Sequence, residues 1–95
     1  SQLPQLSSQI LSSMILNKEI TANDKDYLNQ FVNLEKLSMN ATGLRNLNNL
    51  PDKLQIIQLE LSDNNIDGSE LKKLLAFKNN LAILKISNNK INTLE

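Results

Sequence analysis

Apolar residues recur along this chain in a fixed pattern that ends in asparagine or threonine. Residues 34–44, 56–66 and 81–91 fit one template, L-x-x-L-x-L-x-x-N-x-I/L, with other apolar residues at some leucine positions and Thr42 at the first asparagine position. The three segments begin 22 and then 25 residues apart. Similarity at a fixed period of this length predicts a chain built from tandem structural repeats.

The alternation inside each template predicts a short, half-buried strand. Side chains two positions apart on a strand share one face, so Leu59 and Leu61 should point inward together, as should Leu84 and Ile86. The spacing lies in the range of about 20 to 29 residues that leucine-rich repeats use. We therefore predict an α/β fold, a right-handed leucine-rich-repeat solenoid with parallel strands on its concave face and helices or 3₁₀ turns on its convex face.

The pattern predicts one domain over residues 1–95. Residues 1–33 are expected to form an N-terminal cap and a degenerate first repeat, because terminal repeats are usually atypical. Repeats then follow at 34–55, 56–80 and 81–95, the last one incomplete. With the C-terminal cap missing, that end is expected to leave apolar surface open to self-association.

The N-terminal part fits the template loosely. Residues 14–16 predict a degenerate first strand, with Ile10 at the opening position of the template. Residues 27–32 are expected to supply the convex return, and Asn23 or Asp24 is a candidate for capping it.

The stretches between the later strands differ in length and in predicted structure. Residues 69–79 predict a helix that begins at Ser69 as its N-cap. The inward stripe predicted for this helix is Leu71, Leu74 and Leu75. The shorter stretch 44–54 contains Pro51, which favours irregular structure or a single 3₁₀ turn.

The asparagine that closes the template is a candidate structural residue. An asparagine side chain can bond backbone groups where a strand turns, which leucine cannot do. Asn64 and Asn89 are therefore predicted to form a structural ladder from repeat to repeat, and Thr42 to play a weaker version of the same role.

Composition removes most kinds of chemistry. The 95 residues include 10 basic and 10 acidic ones, for a formal net charge of zero, and neither histidine nor cysteine. The commonest general base and the commonest metal ligand are thus absent, and no basic footprint for nucleic acid is visible. Glu60 and Asp63 are interpreted as solvated repeat residues. We predict no catalytic residue, no metal site, no cofactor and a non-enzymatic protein.

The residues that alternate with the buried ones are the candidate binding surface. If the template leucines point inward, a mixed and nearly neutral set of side chains lines the concave face, suited to docking a helix or loop of a protein partner. This set is Lys36, Ser38, Asn40, Gln58, Glu60, Ser62, Ile83, Lys85 and Ser87. Ile83 is its apolar anchor candidate.

Particular strings within the repeats resemble the acidic leucine-rich nuclear phosphoprotein 32 family. The most specific is Glu-Leu-Ser-Asp-Asn at residues 60–64, followed by a turn and a leucine-rich segment. The supporting strings are Gly43-Leu44, Asn49-Leu50-Pro51, Asn80-Leu81 and Ile-Ser-Asn-Asn-Lys-Ile at residues 86–91. The resemblance covers about residues 10–95, the N-terminal cap and first repeats of that family.

The resemblance implies a nuclear or nucleocytoplasmic, intracellular regulator that binds histones or inhibits a serine/threonine phosphatase. Functions that depend on the family's long acidic tail are not carried over to this segment. Two alternatives with the same fold stay open: a structural leucine-rich subunit of a spliceosomal ribonucleoprotein, and a ciliary or phosphatase-targeting repeat protein. None of these readings involves a membrane or direct contact with nucleic acid.

Overall fold

Four short strands form one parallel sheet in the computed structural model, which describes residues 10–91. The strands follow one another across the sheet in chain order. They are β1 (Ser13–Ile15), β2 (Lys36–Ser38), β3 (Gln58–Glu60) and β4 (Ile83–Lys85). Parallel neighbours need a crossover on the far side of the sheet. Helix α1 (Ala22–Leu28) lies in the first crossover and a 3₁₀ helix (Gly68–Phe77) in the third.

The sheet register reproduces the repeat template. Met14, Leu37, Leu59 and Leu84 are aligned across the four strands, at steps of 23, 22 and 25 residues. The prediction of an α/β repeat-type fold with parallel strands is confirmed at this level. The alignment also corrects the first repeat: Leu11 stands where Leu34 does in the next one and packs against the core, whereas Ile10 is 73% exposed.

The core lies on one side of the sheet and is built almost entirely from template positions. Leu37, Met39, Leu59 and Leu61 are completely buried. Because each strand is only three residues long, one repeat buries its apolar side chains by stacking on its neighbours.

Leu84 departs from the predicted burial. It is the register partner of Leu59, yet it is 39% exposed while Leu59 is 0% exposed. The cause is position: β4 is the last strand of the described sheet, so Leu84 has a packed neighbour on one side. Leu81 and Ile86 are likewise half-buried against the core.

Helix α1 begins at a residue that the sequence pattern did not single out. Thr21, not Asn23 or Asp24, is the N-cap, and its hydroxyl accepts the backbone N–H of Asp24 at 3.4 Å. The Asp24 carboxylate accepts the Thr21 N–H at 2.8 Å, which completes a capping box. Burial raises the pKa of Asp24, but hydrogen bonds from Lys18 and Thr21 outweigh it and hold that pKa below its ordinary value.

The crossover between β3 and β4 is a 3₁₀ helix, not the helix predicted for 69–79. It is capped by Asp67, whose carboxylate accepts the Ser69 N–H at 3.0 Å, so Ser69 is not the cap. With three residues per turn, side chains three apart share a face. Leu71 and Leu74 are therefore joined by Phe77, which is buried, whereas Leu75 is 65% exposed.

The stretch between β2 and β3 contains turns and no helix, in agreement with the prediction of irregular structure. It is held by four buried leucines at intervals of three or four residues: Leu44, Leu47, Leu50 and Leu54. The backbone N–H of Leu47 donates to Glu70 Oε1 at 2.9 Å, which ties this stretch to the 3₁₀ helix. The pKa of Glu70 is lowered by hydrogen bonds from Lys73 and from the Leu47 N–H.

Candidate functional site

The face of the sheet opposite the core carries two rows of side chains, here called the open face. Register places Ser13, Lys36, Gln58 and Ile83 in one row and Ile15, Ser38, Glu60 and Lys85 in the next. Asn40, Ser62 and Ser87 extend the open face at the ends of β2, β3 and β4. All nine residues predicted to contact a partner are thus placed together.

Glu60 is the centre of the open face. Its Oε2 accepts the Gln58 side-chain amide at 2.6 Å, and its Oε1 accepts from Asn40 and from the Ser38 hydroxyl, each at 3.2 Å. The Glu60 side chain is 13% exposed. The interpretation of Glu60 as a solvated residue is therefore wrong, because neighbouring strands surround it with donors.

Two lysines flank the Glu60 carboxylate from opposite sides. The ammonium groups of Lys36 on β2 and Lys85 on β4 lie 3.8 and 3.9 Å from Glu60 Oε2. The pKa of Glu60 is lowered, first by the Gln58 hydrogen bond, against the opposing effect of burial, and further by Asn40, Ser38 and the charge of Lys36. Glu60 therefore remains ionised at neutral pH.

Several open-face residues brace the surface. Ser38 is 5% exposed, so its hydroxyl is buried against Glu60 and is not free to meet a partner. The Asn40 side-chain oxygen accepts the Ser62 N–H at 2.8 Å. The Ser87 hydroxyl donates to the Ser62 hydroxyl at 3.2 Å. These contacts fix the strands relative to one another and leave the outer side chains to make contacts.

Exposed apolar side chains stand at both ends of the open face. Ile83 on β4 is 45% exposed, and Ile15 on β1 is 75% exposed. Ile15 was not among the predicted contact residues, although it follows Met14 by one position and so must face away from the core. The open face combines a polar, cross-braced centre with an apolar side chain at each edge.

The template asparagines lie where the strands turn. The Asn64 side-chain amide donates to the carbonyl groups of Met39 and Leu61 at 2.9 and 3.0 Å. The Asn89 amide donates in the same way to Leu61 and Ile86, also at 2.9 and 3.0 Å. Each asparagine bonds the backbone of its own repeat and of the preceding one, while Thr42 donates to the Met39 carbonyl at 3.1 Å.

The turn beside these asparagines contains backbone in the left-handed region. Ala41, Asp63 and Asn88 have φ values of 56°, 61° and 56° at equivalent positions of three repeats. Asn88 also donates to the Asp63 carboxylate at 2.8 Å. Asp63 is therefore a turn residue linked to the next repeat.

The described residues offer little to other kinds of site. Within residues 10–91, no cluster of three or more Asp, Glu, His or Cys side chains is arranged to hold a metal ion. The helices found in the same range are all too short or too polar to cross a membrane.

Comparison with known proteins gives one curated relative to report. The chain is 36% identical over 84 residues to an acidic leucine-rich nuclear phosphoprotein 32-related protein of Plasmodium falciparum (isolate 3D7). The match covers 83% of this chain and 30% of that relative, so the chain spans under a third of the relative's length. No model of a known protein family matches the chain. No solved structure gives a significant match.

Proposed function

We propose that this chain is a non-enzymatic protein-recognition module of the acidic leucine-rich nuclear phosphoprotein 32 type, with the open face as its contact surface. The observation that carries the proposal is the construction of that face around Glu60. Three polar side chains from two neighbouring strands fix the carboxylate, while exposed isoleucines lie at the two edges. A rigid, cross-braced sheet with accessible apolar edges is suited to docking a helix or loop.

The finer architecture belongs to the same proposal. The parallel strands, which nearly always cross over in the right-handed sense, are taken as consecutive turns of a right-handed solenoid. Residues 10–33, with the capping box at Thr21 and the exposed edge strand β1, are taken as part of an N-terminal cap. The open face is then concave, and α1 and the 3₁₀ helix lie on the convex side.

A role without catalysis is supported by how the reactive groups are used. Glu60 accepts hydrogen bonds on both carboxylate oxygens, and its pKa is lowered, which is unfavourable for a general acid at neutral pH. The hydroxyls of Ser62 and Ser87 bond each other, and the sequence contains no histidine to activate them.

The partner classes come from the family likeness. The name of the Plasmodium relative supports a nuclear phosphoprotein type, and we infer a nuclear or nucleocytoplasmic location for this chain. Core histones and a serine/threonine phosphatase are the partners to test. The same name gives the nuclear regulator precedence over the spliceosomal and ciliary alternatives.

Binding measurements with purified partners test this proposal. The dissociation constants of the chain for core histones and for a phosphatase catalytic subunit would be measured for wild type and two double variants. Ile83→Asp/Lys85→Glu alters the open face, and Leu75→Asp/Lys72→Glu makes the same chemical change on exposed residues of the 3₁₀ helix. Unchanged thermal unfolding would establish that both variants are folded.

We expect one of the two partners to bind wild type, with affinity about tenfold lower for the open-face variant and unchanged for the 3₁₀ variant. Equal loss in both variants, or binding to neither partner, would contradict the proposal.

A further inference from the structure

We propose that the open face selects an acidic partner segment, in which a carboxylate binds between Lys36 and Lys85 and a neighbouring apolar side chain packs on Ile83. This inference rests on the proposed function and names the chemistry of the partner. It follows from three features of the open face: the saturation of Glu60, the spare capacity of the two lysines, and the position of Ile83.

Glu60 has little capacity left for a basic partner. Three side-chain donors occupy its oxygens at 2.6 to 3.2 Å, and the side chain is 13% exposed. An incoming lysine or arginine would have to displace these donors and approach between two ammonium groups. Like charges placed together in this way disfavour the wrong partner.

The two lysines, in contrast, keep donors to offer. Their nitrogens lie 3.8 and 3.9 Å from Glu60 Oε2, beyond the usual 2.7 to 3.2 Å of a direct hydrogen bond. The Lys36 and Lys85 side chains are 42% and 59% exposed. Since both ammonium groups approach the same oxygen, they lie close enough together for one partner carboxylate to bridge them.

The charge of the open face favours the same partner. Its named residues include two lysines and one carboxylate, whereas the whole chain is formally neutral. Asp63, the next carboxylate along β3, lies in the turn and accepts from Asn88. The open face is therefore locally positive, and complementary charge raises both selectivity and the rate of encounter.

Ile83 sets the apolar part of the recognised motif. It shares a sheet row with Lys36 and is two residues from Lys85, so its side chain is on the same face as both ammonium groups. With 45% of its surface exposed, it can be covered by an apolar residue next to the partner's carboxylate. The predicted occupant is thus a segment that alternates acidic and apolar residues.

Dye-labelled peptides would test this selectivity directly. The probes are a peptide of four Glu-Leu-Ser repeats and its counterparts with glutamine or lysine in place of glutamate. Binding would be followed by fluorescence anisotropy, and the contacted surface by amide chemical shifts of the ¹⁵N-labelled chain. The double variant Lys36→Gln/Lys85→Gln would be compared with Lys53→Gln/Lys72→Gln, which removes the same charge from exposed lysines elsewhere.

We expect the glutamate peptide to shift the amides of Lys36, Gln58 and Lys85 and the lysine peptide to leave them unmoved. The open-face double variant should lower affinity about tenfold and the control double variant should not. Affinity should also fall at about 1 M salt, where the Debye length is about 3 Å.

Two outcomes would overturn the inference in different ways. If the lysine peptide shifts the same open-face amides at least as strongly, the open face is a docking surface without acidic selectivity, and the proposed function survives. If the glutamate peptide binds without shifting open-face amides, or binds equally to both double variants, the acidic site is refuted. The binding assays with histones and phosphatase then decide the proposed function separately.

Discussion

The side-chain oxygen of Asn64 accepts the backbone N–H of Leu44, a residue of the preceding repeat, at 3.0 Å. The same oxygen accepts the Thr42 N–H at 2.9 Å. Asn64 is 6% exposed, and the Leu44 side chain is 2% exposed. A single buried amide therefore satisfies backbone groups of two repeats where water has little access.

Replacing Asn64 by alanine should lower the free energy of unfolding by about 1 to 3 kcal/mol, because buried backbone groups lose their partners. Chemical denaturation of Asn64→Ala and of the exposed neighbour Asn65→Ala would measure this difference. The neighbour variant should stay close to wild type. Equal stability of Asn64→Ala and wild type would refute the structural role of the asparagine.

Ala41 is the weak position of the first template turn. Its φ of 56° is in the left-handed region, where residues other than glycine, asparagine and aspartate are disfavoured by about 1 to 2 kcal/mol. Ala41→Gly should therefore raise the free energy of unfolding by about 1 kcal/mol. The matched variant Ala76→Gly, in the 3₁₀ helix, should lower it instead. A loss of stability in both variants would show that the turn does not strain Ala41.

The capping box of α1 can be tested with a conservative rescue. Thr21→Ala removes the hydroxyl that accepts the Asp24 N–H and should cost about 0.5 to 2 kcal/mol. Thr21→Ser keeps the hydroxyl and should restore most of this stability. If thermal unfolding shows serine to be as harmful as alanine, the lost threonine methyl group is responsible and the cap contributes little.

Stability should fall in mild acid through carboxylates with lowered pKa values. Asp24, Glu60 and Glu70 each have a pKa below the ordinary value in the folded protein, so the unfolded chain binds protons more readily. Their stabilising contribution is complete above the ordinary glutamate pKa of 4.5 and is lost as pH falls through the lowered folded values.

Denaturant titrations across this pH range should therefore show a falling free energy of unfolding for wild type. In Glu60→Gln and Glu70→Gln the fall should be shallower, because one titrating group has been removed. An identical slope in wild type and both variants would contradict the assigned hydrogen bonds.

The period of the apolar residues was sufficient to predict the sheet. Leu37, Leu59 and Leu84 were aligned by the template before any coordinates, and the strands pair in that register. Burial was predicted less well at Leu84, because burial depends on what packs beside the strand as well as on the face that a residue occupies.

Local geometry explains other differences from the sequence predictions. The convex segment after β3 winds with three residues per turn, so Phe77 is buried where Leu75 was expected. The signal for the cap of α1 was present as Thr21 followed by an acidic residue three positions later. Asp63 and Asn88 are residue types that tolerate a left-handed turn, but Ala41 carries no such signal.

The role of Glu60 required the structure. Its donors come from Ser38 and Asn40 in one strand segment and Gln58 in another, and only the register brings the two segments together. The alternation of residues placed Glu60 on the correct face without revealing that it organises that face. Its central position between two lysines could have been found by writing the template copies side by side.

The central claim is that partners contact the open face. A benzoylphenylalanine cross-linker would be introduced at Ile83, which is 45% exposed on that face, or at Leu75, which is 65% exposed on the 3₁₀ helix. After illumination with the purified partner that binds most tightly, cross-linked yield would be compared by mass spectrometry. We expect efficient cross-linking from Ile83 and background levels from Leu75; the reverse result would contradict the claim.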